Sequence, residues 1–132
     1  MKPSARTMFA AAFMSVALLA SINASAVPLS VYESARSNPA KQSQLFHEAY
    51  LTGLSKTVTQ LRSSTFPDGK VKSPQRLEKD RNLADAVDAL AGHLTDKQSD
   101  VLIVMIEQYA ASQPNTELED VIASFLLTEA KK

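Results

Sequence analysis

His47 and His93 are the only imidazoles in this 132-residue chain, and it has no cysteine. Neither histidine has a second one at ligand spacing, and no H-E-x-x-H pattern occurs. His93 and Asp96 form a His-x-x-Asp pair, a spacing common by chance. Both histidines are therefore expected at ordinary helix-surface or capping positions. Nucleophilic chemistry has no better footing: there is no G-x-S-x-G elbow, no S-x-x-K and no phosphate-cradling glycine loop. Asp85, Asp88, Asp96 and Asp100 are expected to face out of charged helices, so no paired acid and base is expected. The chain reads as a non-enzyme with no catalytic residue, no cofactor and no metal.

Interaction chemistry is better represented. The segment Thr65-Phe66-Pro67-Asp68-Gly69-Lys70 puts an aromatic ring and two opposite charges on one turn. Pro-Asp-Gly presets a tight turn, and an aromatic concentrates binding energy when a partner pocket buries it. Phe66, Asp68 and Lys70 are thus the candidate partner-binding residues. The competing reading has Phe66 folding back over the core as a hydrophobic plug. Tyr50 and Tyr109 fit core positions with the hydroxyl at the rim. The charge run Arg76, Glu78, Lys79, Asp80 and Arg81 fits a solvated helix face.

The elements that position these residues read as helices throughout. Residues 28–37 can form a short helix stopped at Asn38, because Pro39 disfavours helical geometry in the residue before it. Over residues 40–62, Leu45, Phe46, Ala49, Tyr50, Leu54, Val58 and Leu61 recur three or four apart and line one face. Gly53 lies inside that pattern, and a close approach of another helix would explain it. After a loop at 63–73, Ser73 can cap a helix with Pro74 in its first turn and Gly92 at its end. Thr95 with Gln98 makes a capping box for the next helix. Between Val101 and Ala110 only Glu107 and Gln108 are polar, so this helix is expected to be the most buried. Pro114 breaks the chain. Thr116 with Glu119 repeats the capping-box pattern, and Leu118, Val121, Ile122, Phe125 and Leu126 give the last helix its apolar stripe, with Lys131 and Lys132 complementing its dipole. The expected fold is all-α, a small bundle of four to five helices joined by short loops.

Composition bounds the class. Fourteen basic against fourteen acidic residues argue against a nucleic-acid partner, and 45% hydrophobic content argues against disorder. The N-terminus carries the strongest single signal. Lys2 and Arg6 precede an apolar stretch at 8–22, and Ala24-Ser25-Ala26 supplies a signal-peptidase site. The stretch is shorter than the ~20 residues that span a bilayer. The expected organisation is a secretory signal peptide at 1–26, cleaved after Ala26, and a helical domain at 27–132. The product is expected in the periplasm of a Gram-negative host, with no membrane insertion after cleavage.

The exported helical chain, the Tyr50-Leu51-Thr52-Gly53 element, the Phe66-Pro67-Asp68-Gly69-Lys70 turn, and the helix at 101–109 with Pro114 and 121–127 behind it resemble the Tai-like periplasmic immunity proteins of type VI secretion systems. The likeness runs loosely over residues 45–127. It implies a binding protein that stays in the periplasm and inhibits a peptidoglycan-cleaving amidase effector injected by a neighbouring cell. Inhibition of that kind needs a protruding loop in the enzyme cleft with complementary charge around it, and Phe66, Asp68 and Lys70 are the candidates by turn position. The alternative class is a periplasmic carrier or accessory protein holding a small apolar ligand between helices, with Gly53 leaving room for it. A small hydrolase has only export in its favour.

Overall fold

The computed structural model describes residues 26–132; the expected signal segment, Ala26 apart, lies outside the described residues. The fold is all-α. A short α1 (Leu29–Ser34) runs into a 3-10 turn (Ala35–Ser37), followed by α2 (Pro39–Arg62), α3 (Pro74–Ala91), α4 (Asp96–Ser112) and α5 (Leu118–Ala130). Among the described residues there is no strand, only isolated bridges at Pro28/Glu117 and Thr65/Val71. No described helix is long and apolar enough to cross a membrane.

Local chemistry accounts for most of these boundaries. Asn38 caps α2 by accepting from the Lys41 amide, and Pro39 takes the first turn, where its missing N–H would have had no partner. Ser73 does the same for α3 by accepting from the Arg76 amide. Thr95 and Gln98 close a reciprocal capping box on α4. Gly92 ends α3 as expected.

The spine of the bundle is α2, which packs along both α3 and α5; α4 leans on α5 and α1. Leu118, Ile122 and Leu126 of α5 are fully buried and Val121 and Phe125 nearly so, each worth roughly 1.5–3 kcal/mol of apolar transfer. Gly53 is where α2 meets α5: a Cβ there would sit 2.6 Å from the Glu119 carbonyl oxygen and 3.4 Å from the Ala123 nitrogen. The close approach expected from the sequence is thus present, and backbone fills the space, leaving no room at Gly53 for the ligand imagined there. Tyr50 is half-buried and donates its hydroxyl to the Ala91 carbonyl at 2.7 Å, tying α2 to the end of α3. The segment at 27–30 is clipped to the loop before α5 by Leu118 N to Val27 O, Leu29 N to Thr116 O and Ser30 N to Pro114 O.

Four expectations are corrected. The most buried helix is α5, not α4: Leu102 and Ile106 are buried, whereas Val101, Ile103 and Val104 are about half-exposed. The reason is position: α4 packs against α5 and α1 through the side that carries Leu102 and Ile106, and its other side is exposed. Tyr109, on the same helix, is exposed rather than part of the core. The Thr116/Glu119 capping box does not form; Glu117 occupies the cap position without a side-chain bond, and Thr116 donates its amide to the Gln113 carbonyl and its hydroxyl to Gln113 Oε1 instead. Finally, Asp80 is buried, so the charge run on α3 is not uniformly solvated.

Candidate functional site

The turn at 64–72 is a compact hairpin between α2 and α3. The Lys72 amide donates to the Ser64 carbonyl, the Phe66 amide to Lys70 O at 2.7 Å and the Gly69 amide to Phe66 O at 2.9 Å. Gly69 adopts φ 89°, a left-handed conformation that favours glycine. Asp68 spends one carboxylate oxygen on the Lys70 amide, 3.0 Å away, an Asx turn that stiffens the tip.

Beneath the tip lies a polar lock. Lys72 is buried, its side chain only 3% exposed, and its ammonium stands 2.9 Å from Asp80, whose side chain is 6% exposed. The same ammonium donates to the carbonyls of Gln60 and Leu61 at 3.1 Å each, capping the end of α2. Its three donors are thereby all engaged. Arg76 reaches the other oxygen of Asp80 at 3.0 Å. Burial pushes the Asp80 carboxyl up, but hydrogen bonds and charge from Lys72 and Arg76 outweigh it and hold the group below its ordinary value. The Phe66 ring lies under the two cations, 5.7 Å from the Lys72 nitrogen and 5.0 Å from the Arg76 guanidinium carbon.

Phe66 is half-buried, its ring set against the Lys72 and Arg76 cations rather than among the apolar side chains that pack on the core. Asp68 and Lys70 remain exposed at the tip, beside Val71 at 77% exposure. The structure keeps the three sequence candidates on one hairpin but gathers them into no cavity. His47 and His93 are exposed, as are Asp85, Asp88, Asp96 and Asp100. Arg62 crosses from α2 to pair with Asp85 and Asp88.

Two further features went unread in the sequence. A cleft of about 330 Å³ lies between α1 and α4, walled by Ile103 and Ile106 and rimmed by Tyr32, Glu33, Arg36 and Glu107. Burial, reinforced by the Glu33 and Glu107 carboxylates, pushes the Tyr32 phenol above its usual range. The other feature is an acidic cluster at the start of α5, where Glu117, Glu119 and Asp120 bring one oxygen each within 4.8 Å of one another. Lys56 of α2 faces it, 3.2 Å from Asp120. Burial pushes the Glu119 carboxyl up, and Glu117 and Asp120 add to this against the opposing charge of Lys56. The signal in the sequence is the acidic run Glu117-Leu118-Glu119-Asp120, of which only Glu119 fits the Thr116 capping-box pattern.

The arrangement leaves Asp68, Lys70 and Val71 exposed at the tip of a hairpin held by its own hydrogen bonds and by the Lys72–Asp80 pair. No family model, curated protein or solved structure matches the chain.

Proposed function

We propose that this chain is an exported binding protein that inhibits a peptidoglycan amidase effector of a type VI secretion system, with the hairpin at 64–72 as the inserted element. The observation that carries the reading is the buried Lys72–Asp80 lock, which holds the hairpin in one shape before any partner arrives. A loop ordered in advance loses less conformational entropy on binding than a flexible one. Asp68 and Lys70 offer charges of both signs for register and specificity, and Val71 offers apolar area. Phe66 acts through the lock, keeping the tip in place. Val27, the first residue of the expected mature chain, is buried in the core.

The test is capture and inhibition. The purified protein, mixed with cell-wall amidase effectors of its host, is expected to form a stoichiometric complex that silences hydrolysis. Replacing Asp68, Lys70 and Val71 together is expected to weaken that complex by more than 1 kcal/mol with helix content intact. Failure to bind any such amidase overturns the reading. A second reading, an accessory protein that carries a small amphipathic ligand, draws on the α1–α4 cleft with its Ile103 and Ile106 walls. Native mass spectrometry separates the two, since a carrier retains a lipid-sized mass.

A further inference from the structure

We propose that Glu117, Glu119 and Asp120 form a calcium site at the start of α5. An acidic residue in a first helical turn is ordinarily explained by the helix dipole, and for exposed Asp120 that is sufficient. It does not explain Glu119. This residue is 7% exposed, and its Oε1 is enclosed with no hydrogen-bond partner, the one such buried side-chain atom among the described residues. A carboxylate oxygen enclosed without a donor is unfavourable, so its place in the fold calls for a counter-charge.

The protein groups nearby do not supply it. The Leu118 amide is taken by Val27 O, and those of Asp120 and Val121 by Glu117 O. The Lys56 ammonium bonds Asp120 and makes no hydrogen bond to Glu119. Three carboxylates against one ammonium leave an excess that a divalent cation balances, and the fractional positive charge at the end of the α5 dipole is small beside it.

Three hard carboxylate donors with an open side for water favour calcium, the ion that tolerates irregular coordination. Calcium–oxygen bonds of about 2.3–2.6 Å allow ligands across the ion to stand about 4.6–5.2 Å apart, while magnesium at about 2.0–2.1 Å draws them to about 4.2 Å or less. The three oxygens lie within 4.8 Å of one another, a span that calcium bridges. Glu119 would form the floor, half-buried Glu117 and exposed Asp120 the open side through which the ion and its remaining waters enter. The ligands lie where the Val27–Leu118 clip and the Gly53 contact meet, so an ion there would staple the N-terminal segment and α2 to α5. The site stands apart from the hairpin and from the immunity reading.

The experiment is titration of calcium, then of magnesium, into chelator-treated protein, read by calorimetry and thermal unfolding, in the native chain and in Glu119→Gln and Glu117→Gln. Calcium well above its dissociation constant is expected to raise the unfolding midpoint by about 5 °C, with magnesium clearly weaker. Each variant is expected to bind calcium at least about tenfold more weakly. Glu117→Gln, altered at the half-buried rim, serves if Glu119→Gln does not fold. No calcium heat and no midpoint shift at millimolar calcium, an equal response to magnesium, or unchanged binding in the variants that fold would each overturn the proposal.

Discussion

Asp80 and Glu119 are both buried carboxylates on helices packed against α2, and the fold provides for them in opposite ways. Asp80 receives a buried ammonium, a guanidinium and a ring stacked beneath both cations. Glu119 receives nothing that bonds its enclosed oxygen. Buried charges hold a structure together only when each is matched, and one left unmatched points toward something outside the chain. Hence the first region sets the hairpin's shape, while the second is the candidate for an ion.

The largest expected effect lies on the matched side. Lys72→Met leaves Asp80 buried without its ammonium and should lower unfolding free energy by about 3–5 kcal/mol in urea denaturation, whereas Lys72→Met with Asp80→Leu should recover much of that. If the single change costs under about 1 kcal/mol, Asp80 is finding solvent and the contrast with Glu119 fails. Acid should separate the two carboxylates by sign. Asp80 is held below its ordinary 3.8, so its contribution is present above that value and is lost as pH falls through the lower folded one. Glu119 is held above its ordinary 4.5, so in chelator it opposes folding at neutral pH, and that opposition is relieved as pH falls through its folded value and is gone below 4.5. Thermal melts of Asp80→Asn and Glu119→Gln across pH 2–7 should flatten opposite limbs of the profile.

Phe66→Ala should cost about 1–2 kcal/mol through lost packing and lost cation–π contact, visible as a lower denaturation midpoint with unchanged helical circular dichroism. An unchanged midpoint would detach the ring from the lock. Smallest is Arg76→Ala, expected below about 1 kcal/mol because the guanidinium is half-exposed and well screened. An effect as large as that of Lys72→Met would mean that Arg76, not Lys72, carries the pair.

Much of this was legible in residues close together in the chain. The caps at Ser73 and Thr95, the stop at Asn38-Pro39 and the turn at Gly69 each depend on groups within a few positions of one another. Even Gly53 announced itself, because a glycine inside an apolar helical face needs a reason. The errors fell where the answer depended on neighbours far away in sequence. An apolar pattern over 101–110 looks the same whether a helix is surrounded or packed on one side, and α4 packs through the side that carries Leu102 and Ile106. Asp80 sits in a charge run that reads as solvated until Lys72 folds beneath it from the preceding loop. Thr116 and Glu119 match a capping box, but the 27–30 segment clips onto residues 114–118, the Thr116 amide and hydroxyl turn to Gln113, and α5 starts at Leu118 after the Glu117 cap.

The sequence by itself determined the all-helical class, the boundaries of α2, α3 and α4 and the stripe that buries α5, because helix hydrogen bonds and caps close within four residues. Only the tertiary structure decided which helix is innermost, that the Phe66 ring meets the Lys72 and Arg76 cations, and that Asp80 is matched while Glu119 is not. Those outcomes depend on burial and on the placement of single charges, and both are set by which distant helices pack together.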